Sequence, residues 1–260
     1  MIISYSKNFI FMHSRKTAGS SITAALNQYL AKNDIQLGAW PDTIATGGQL
    51  NRLVRKIAFR SPLITLLPSL KYSLKTSRLG FEPYSVNEAV RLKYYKSGLL
   101  GGTHSSATNV RQFDPEHWQR SFKFGFVRNP WDHAISDFHW RRYIKKNNTV
   151  NFKEFVLRLQ DSKRPDPEQL RPPIVTNWSI YSIDNTVEID YMARYENLHE
   201  EIEIISKKLH LPINLKTFKS KASIRTAKKP VFSYYDEETT EIIRSVYRRE
   251  IEEFNYAPPW

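Results

Sequence analysis

A short apolar segment that leads into a polar, glycine-containing turn is the feature that most constrains the fold of this sequence. Residues 8–12 read Asn-Phe-Ile-Phe-Met, residues 14–21 read Ser-Arg-Lys-Thr-Ala-Gly-Ser-Ser, and residues 20–30 have helical spacing. An uninterrupted apolar run is typical of a strand that is buried on both faces. The order of strand, turn and helix predicts one unit of an α/β protein.

The turn at residues 14–21 has the composition of an anion-binding loop. Gly19 lets the backbone approach an anion, successive amides and the helix N-terminus point at it, and Lys16 adds positive charge. The hydroxyls of Thr17, Ser20 and Ser21 can donate further hydrogen bonds. The lysine precedes the glycine, whereas the phosphate loop of nucleoside triphosphatases needs Gly, four residues and Gly-Lys-Ser/Thr, so an ordinary nucleoside triphosphatase is disfavoured. A capped helix without a ligand is an equal alternative for this loop taken alone.

A second strand-to-helix junction follows in the middle of the chain. Residues 122–127 form another apolar run, and the Asn-Pro pair after it is a good helix start, because Asn caps and Pro is tolerated in the first turn. A helix is therefore predicted over residues 131–143.

Arg128 and Ser136 make this junction a second candidate anion site. Arg128 leaves the end of the strand and Ser136 lies two turns into the helix, so the pair offers a guanidinium and a hydroxyl to one phosphate. Open α/β sheets bind ligands at this edge. The alternative is that Arg128 pairs with Asp132 across one helical turn.

Composition limits the fold class and the partners. The 260 residues are 40% hydrophobic and 13% aromatic, which is enough for one packed α/β domain. A formal charge of +13 favours anionic partners such as nucleotides, acidic glycans, nucleic acid or an acidic membrane surface. The absence of Cys excludes disulfides, thiolate metal sites and a catalytic thiol, and we predict no metal site.

Residues 43–84 are predicted to form a lid or an insertion in this single domain of residues 1–260. Residues 43–81 contain no acid, and the most apolar part, residues 53–70, is interrupted by charges and prolines, which argues against a transmembrane helix. An interfacial helix that contacts a membrane peripherally is the alternative. Because no signal peptide is seen, we expect a cytoplasmic protein, or a soluble catalytic domain cut from a membrane-anchored one.

The remaining patterns complete an α/β arrangement. Helices are predicted at residues 85–96, 107–118 (interrupted), 198–209 and 236–254, strands at 99–102 and 187–191, and a proline-rich loop at 164–173. The expected fold is P-loop-like, with a central, mainly parallel sheet flanked by helices on both faces.

Together the two junctions closely resemble the sulfotransferases that use 3'-phosphoadenosine 5'-phosphosulfate (PAPS), particularly the carbohydrate sulfotransferases and the heparan sulfate 2-O-sulfotransferases. Lys-Thr-Ala-Gly-Ser-Ser at residues 16–21 is similar to that family's 5'-phosphosulfate loop. Val-Arg-Asn-Pro-Trp-Asp at residues 127–132, with Ser136, is similar to its 3'-phosphate motif. The similarity continues at residues 190–196 and 234–236, so it spans most of the chain.

Two positions depart from the family pattern. Arg15 stands where Pro is common and His133 where Arg is common. Neither change removes an expected phosphate ligand, although Arg15 alters the charge and shape of the loop.

The resemblance implies transfer of a sulfuryl group from PAPS to a hydroxyl of a carbohydrate, with release of adenosine 3',5'-bisphosphate and no metal requirement. It implies that the 5'-phosphosulfate is held by Lys16, Thr17, Ala18, Gly19, Ser20 and Ser21 of the first loop, and we also expect the adjacent Arg15 to contribute to the cofactor site. The 3'-phosphate falls to Arg128 and Ser136. The basic loop of residues 219–229 is expected to close over the nucleotide through Ser223, Arg225 and Lys228, and a solvated cationic loop is an equal alternative.

His104 is the predicted general base. Negative charge builds on the leaving phosphate oxygen, where Lys16 can neutralise it, and the acceptor hydroxyl loses a proton as it attacks. The Gly-Gly-Thr-His-Ser-Ser segment at residues 101–106 follows a predicted strand, and it is similar to the Gly-His-Val-Ser segment with the catalytic histidine of 2-O-sulfotransferases. The alternative is a capping or sheet-bonded histidine. His13, directly before the loop, is expected to be structural.

The identity of the acceptor is the part of the function that the sequence constrains least. Aromatic and basic residues at 140–146 are suited to an acidic glycan, and a solvated helix end is the alternative. A non-catalytic polyanion-binding protein, or a sulfotransferase for a non-carbohydrate hydroxyl, are the alternative functions. No nucleic acid partner is expected.

Overall fold

The computed structural model describes residues 1–77, 79–215 and 229–260. They form two compact units: unit 1 holds the described residues within Met1–Phe126 and Ser179–Ser220, and unit 2 those within Val127–Trp178 and Lys221–Trp260. The strands are β1 (Ile2–Ser4), β2 (Phe9–Met12), β3 (Ile35–Gln36), β4 (Phe122–Val127), β5 (Ser182–Ile183), β6 (Thr186–Val187) and β7 (Tyr191–Arg194). The helices are α1 (Gly19–Asn27), α2 (Trp40–Ala45), α3 (Arg52–Phe59), α4 (Pro62–Thr76), α5 (Pro83–Tyr95), α6 (Ala107–Phe113), α7 (Pro115–Arg120), α8 (Pro130–Lys145), α9 (Phe152–Gln160), α10 (Trp178–Tyr181), α11 (Leu198–Leu209), α12 (Glu237–Val246) and α13 (Arg248–Phe254).

Within the described residues, five strands form the central sheet of a mixed α/β fold, in the order β3-β1-β2-β4-β7. Strands β2 and β4 are parallel, with Phe9 opposite Phe122. Strand β1 is antiparallel to both β2 and β3, so β2, β3 and β4 share one direction and β1 opposes them. The central, mostly parallel sheet is thus confirmed, whereas the flanking by helices on both faces stays a prediction.

The core of unit 1 explains why the two apolar runs became strands. Phe9 and Phe11 of β2 and Phe124 and Phe126 of β4 are fully buried, and they belong to one apolar cluster with residues of α1 and α11 such as Ile22. Burying each such side chain stabilises the fold by roughly 1.5–3 kcal/mol. Strand β2 therefore carries no polar residue, because both of its faces are covered.

Most predicted elements are found close to their expected bounds. These are the strands at 8–12 and 122–127, the helices at 20–30, 85–96, 107–118, 131–143 and 198–209, and the loop at 164–173. The expected interruption of the helix at 107–118 occurs at Asp114, whose side chain accepts a hydrogen bond from the His117 amide and caps α7.

Three predicted elements differ in the structure. Residues 99–102 form turns instead of a strand, because Gly98 has φ 98° and the Gly102 amide bonds to the Leu99 carbonyl. The predicted strand at 187–191 is split, with residues 188–190 linking β6 to β7. The helix predicted at 236–254 breaks at Tyr247, which leaves helical geometry with φ −104° and ψ 23°.

Helices α2, α3, α4 and α5 contain most of the basic segment 43–84. Contacts join α2, α3 and α4 to α5 and α3 to α4, and α2 also packs on α1. The segment is therefore a helical part of unit 1, and its role as a lid or insertion stays a prediction.

Candidate active site

The polar loop of unit 1 has an unusual backbone. Lys16 and Ala18, on either side of Thr17, have φ 62° and φ 59°, in the left-handed region that residues other than glycine seldom adopt. Left-handed residues at alternating positions turn successive amides towards one side, as in the anion-binding concavities called nests. The loop therefore has the backbone of an anion site.

The start of α1 adds donors to this loop. Ala18 is the N-cap and supplies no side-chain acceptor. The first amides of any α-helix have no carbonyl partner in the same helix, and the helix dipole places partial positive charge there. An anion at this point would receive both hydrogen bonds and a favourable field.

Two buried hydroxyls of the loop, those of Thr17 and Ser14, differ in their hydrogen bonds. Thr17 is fully buried, and its Oγ1 donates to the Ser14 carbonyl over 3.1 Å, so its proton is used inside the loop. The expectation that the Thr17 hydroxyl donates to an anion stays a prediction. The Ser14 hydroxyl is fully buried and has no hydrogen-bond partner among the described residues. The sequence pattern missed Ser14, because nothing in it separates one loop serine from another.

Gly19 has a steric role that the sequence does not reveal. A Cβ atom at this position would lie 2.1 Å from Cδ2 and Nε2 of His13, far inside van der Waals contact. The His13 ring, which is buried and stacked on Phe11, thus packs directly on the backbone of α1. The packing of His13 thus requires a residue without a side chain at position 19.

His104 is held against the residue that leads into the loop. Its Nδ1 lies 2.7 Å from the main-chain oxygen of His13, and the two rings meet edge to face with centroids 5.0 Å apart. A carbonyl oxygen only accepts, so Nδ1 carries the proton and, in the neutral ring, Nε2 carries the lone pair. A half-buried imidazole in this tautomer has the chemistry of a general base.

The turn that carries His104 is fixed by close packing. The segment Gly102–His104 is a short 3-10 helix that begins at a left-handed glycine, with φ 55° at Gly102. Thr103 packs on Gly38, where a Cβ atom would lie 2.0 Å from the threonine Oγ1. Ser105 Oγ donates to the Gly102 carbonyl over 2.9 Å. His104 is thereby positioned by a rigid turn and not by a strand end.

In unit 2, Arg128 pairs with Asp132. The guanidinium Nε and Nη2 lie 2.8 and 2.6 Å from one carboxylate oxygen, and the arginine side chain is 10% exposed. This ion pair is the alternative predicted for Arg128, and it does not test whether the same guanidinium binds a phosphate. The Asn129 side chain caps α8 as predicted, accepting from the Trp131 amide. Ser136 is half-buried, one turn beyond Asp132 on the same side of α8.

The two histidines of α8, His133 and His139, have partners within unit 2. His133 is buried, with Nδ1 3.2 Å from the hydroxyl of Tyr247, which itself donates to the Val175 carbonyl. His133 therefore joins α8 to the break between α12 and α13, which gives a structural reason for the departure from the family pattern. His139 Nε2 lies 2.9 Å from the Tyr234 hydroxyl.

The aromatic and basic cluster at the end of α8 is partly used by the fold. Arg142 donates to the carbonyls of Asn147 and Asn148, and Lys145 Nζ lies 2.7 Å from Gln169 Oε1. Tyr143 stacks on Trp140 with centroids 5.9 Å apart and is 63% exposed. The side chains of Arg142 and Lys145 thus have partners within the fold, whereas the Tyr143 ring stays accessible.

Three further points concern the basic loop, metal ions and the membrane. Ser223, Arg225 and Lys228 lie outside the described residues. Residues 1–77, 79–215 and 229–260 contain no cluster of three or more His, Asp or Glu side chains suited to a metal ion. Over the same ranges no helix is long and apolar enough to cross a bilayer.

Comparisons with known proteins agree with the two motifs. Residues 1–257 match the group described as the sulfotransferase family. An uncharacterized protein of Archaeoglobus fulgidus is 30% identical over 92 residues, which cover 35% of this chain and 70% of that protein. No solved structure matches the chain.

Proposed function

Because the chain belongs to the sulfotransferase family, we propose that it moves a sulfuryl group from PAPS to a hydroxyl of a carbohydrate acceptor. The observation that carries this proposal is the hydrogen bond from His104 Nδ1 to the His13 carbonyl. It supports a base beside the candidate phosphosulfate loop, with its lone pair on Nε2.

The donor fits the groups that the chain offers. Lys16, the nest and the first amides of α1 would hold the 5'-phosphosulfate, with the buried Ser14 hydroxyl as a further donor. Arg128 and Ser136 would hold the 3'-phosphate, and the pairing with Asp132 would fix the direction of the guanidinium. PAPS supplies the activated sulfuryl group; the residues of this chain orient it.

The chemical step is an in-line displacement. His104 Nε2 accepts the proton of the acceptor hydroxyl as that oxygen bonds to sulfur, and the bond from sulfur to the phosphate oxygen breaks. The negative charge that develops on the leaving oxygen is neutralised by Lys16 and the N-terminus of α1. The products are the sulfated acceptor and adenosine 3',5'-bisphosphate, and the proton remains on His104 until it passes to solvent.

A carbohydrate acceptor is supported by the resemblance to carbohydrate sulfotransferases and by the exposed Tyr143, which stacks on the half-buried Trp140. Flat aromatic faces stack on the apolar faces of sugars, and nearby exposed cations such as Lys146 attract carboxylates or sulfates. A phenol or another small hydroxyl compound would use the same base and the same donor. The two acceptor classes are therefore distinguished by which of them is sulfated in an assay.

Binding of adenosine 3',5'-bisphosphate tests the donor site, by calorimetric titration of wild type, Lys16→Ala and Arg128→Ala. Each lost charge-assisted contact is expected to weaken binding about 10- to 100-fold. Lys93→Ala and Arg244→Ala, which remove exposed cations of units 1 and 2, are matched controls and should bind as wild type does. Equal affinity in all five proteins would reject the donor site.

Transfer of labelled sulfate from PAPS to a panel of polysaccharides, monosaccharides and phenols tests the reaction. We expect a sulfated carbohydrate product. Product on a phenol alone would keep the donor site and reject the carbohydrate acceptor. Binding to heparin that falls steeply with salt and is unchanged by Lys16→Ala, without transfer, would instead favour the polyanion-binding alternative.

A further inference from the structure

Helix α4 turns its leucines outward and its small polar residues inward. The outward side chains fall within an arc of about 100°, and their exposures run from 38% at Leu66 to 79% at Leu63. They are Leu63, Leu66, Leu67, Leu70 and Leu74. Thr65 and Ser69 on the opposite side are buried. A surface helix ordinarily has the reverse arrangement, so its exposed apolar face indicates an interaction site.

Hydrogen bonds of the polar side fix this orientation. Thr65 Oγ1 donates to the carbonyls of Ala58 and Ser61, at the end of α3 and before α4. Ser69 Oγ accepts from the Glu82 amide over 2.8 Å. Rotating α4 to hide its leucines would break these hydrogen bonds, so the leucine face stays outward.

The charged residues of α3 and α4 are all basic. Residues 43–81 contain seven Lys and Arg and no Asp or Glu. Lys71 and Lys75 are exposed on one flank of the leucine arc. Helix α3 presents exposed Arg55 and Lys56 together with Phe59, which is 63% exposed. A leucine face bordered by cations is complementary to an anionic lipid surface.

We propose that α4 docks this protein on an anionic lipid bilayer, with its leucine face in the headgroup region and the neighbouring cations on lipid phosphates. Docking lies in the plane of the interface, since no helix within the described residues could cross a membrane. A second copy of the chain fits less well, because two faces of the same positive sign would repel each other. The proposal does not depend on the sulfotransferase reaction.

Co-sedimentation with vesicles tests this docking. The full chain is expected to bind vesicles of phosphatidylcholine with phosphatidylglycerol, to ignore phosphatidylcholine alone, and to be released by salt. Leu67→Gln with Leu70→Gln should lower partitioning at least about tenfold, and Lys71→Glu with Lys75→Glu by about the same factor. All four residues are exposed, so folding is expected to be kept and is checked by thermal unfolding.

Leu100→Gln with Ile204→Gln is the matched control. Leu100 and Ile204 are 55% and 40% exposed outside α4, and their loss should leave vesicle binding unchanged. The proposal is overturned if wild type binds neither vesicle, or if the Leu67 and Leu70 double variant binds as wild type does. A dimer in analytical ultracentrifugation that is lost in this double variant, without vesicle binding, would also overturn it and assign the face to a second copy.

Discussion

The Nδ1 atom of His104 and the main-chain oxygen of His13 are 2.7 Å apart. This hydrogen bond joins a rigid turn to the residue before the polar loop, and it defines which nitrogen of His104 holds the proton. A displacement of the His13 main chain would therefore also displace the His104 ring. The bond also makes it possible to separate the structural and chemical roles of His104 by substitution.

His104→Asn should remove the base and keep the hydrogen bond. The asparagine amide nitrogen occupies roughly the place of Nδ1 and can still donate to the His13 carbonyl, but it offers no basic lone pair. Sulfate transfer is expected to fall about 10²- to 10⁴-fold, while the affinity for adenosine 3',5'-bisphosphate and the melting temperature stay near those of wild type. Steady-state kinetics, titration and thermal unfolding measure the three quantities.

His199→Asn is the control for this substitution, because His199 is exposed on α11. It should transfer sulfate as wild type does. Undiminished transfer by a folded His104→Asn protein would remove His104 from the reaction and leave it a structural histidine.

Gly19→Ala should destabilise unit 1 through a steric clash with the His13 ring. The added methyl would lie 2.1 Å from ring atoms, and overpacking of this kind costs about 1–3 kcal/mol. In Gly19→Ala with His13→Ala the clash is absent, so the double variant should be more stable than the sum of the two single effects predicts. Urea unfolding of the four proteins gives the coupling energy.

Gly80→Ala is the matched glycine change, since a Cβ atom there meets nothing within 4 Å. Its stability should be close to that of wild type. Additive effects at Gly19 and His13 would show that the ring moves aside freely, and the steric account of Gly19 would then be wrong.

Ser14→Ala should act in opposite directions on stability and on binding. Its buried hydroxyl has no partner among the described residues, and an unsatisfied buried hydroxyl costs about 1–3 kcal/mol. The free protein is therefore expected to melt at a higher temperature, whereas the further stabilisation by added bisphosphate should be smaller than in wild type. A lower melting temperature of the free variant would mean that the hydroxyl is already satisfied.

The buried His117 should make unit 1 sensitive to mild acid. Burial lowers the pKa of His117 below its ordinary value of 6.5, so the fold favours the neutral ring. The unfolded chain then binds more protons, and stability is full above pH 6.5 and decreases as the pH falls through 6.5 towards the lower folded pKa. Urea unfolding across this range should show the decrease, and His117→Gln should reduce it.

His199→Gln, which replaces an exposed ring on α11, is the control substitution. A pH profile of His117→Gln that is as steep as that of wild type would assign the acid sensitivity to other groups.

Local patterns were sufficient for the elements that flank the site and insufficient for its contacts. The strand β2, the helix cap at Asn129 and the helix α11 depend on apolar runs and capping residues that are adjacent in the sequence. The packing of His13 on Gly19 depends on the loop geometry, and the bond from His104 joins residues far apart in the chain. Neither leaves a periodic signal.

Residues 187–191 and 236–254 were mispredicted because tertiary contacts override local preference. The Asp190 carboxylate accepts a hydrogen bond from the Lys123 amide on β4. Asp190, which lies between β6 and β7, is thereby tied to the sheet through its side chain and does not continue a strand. Tyr247 breaks the last helix while its hydroxyl bonds to the Val175 carbonyl. The outward leucines of α4 are also hidden from the sequence, because their spacing is the same as that of a buried face.

The parallel register of β2 with β4 has a consequence for how the chain is made. Strands β1 and β2 can pair as a hairpin soon after synthesis, but the other edge of β2 gains its partner only after Val127 has emerged. Until then an apolar strand edge is open to pairing with other chains. Such distant pairing also slows folding. Weak expression, which keeps unfinished chains dilute, should therefore raise the yield of soluble protein, and truncations before β4 should aggregate.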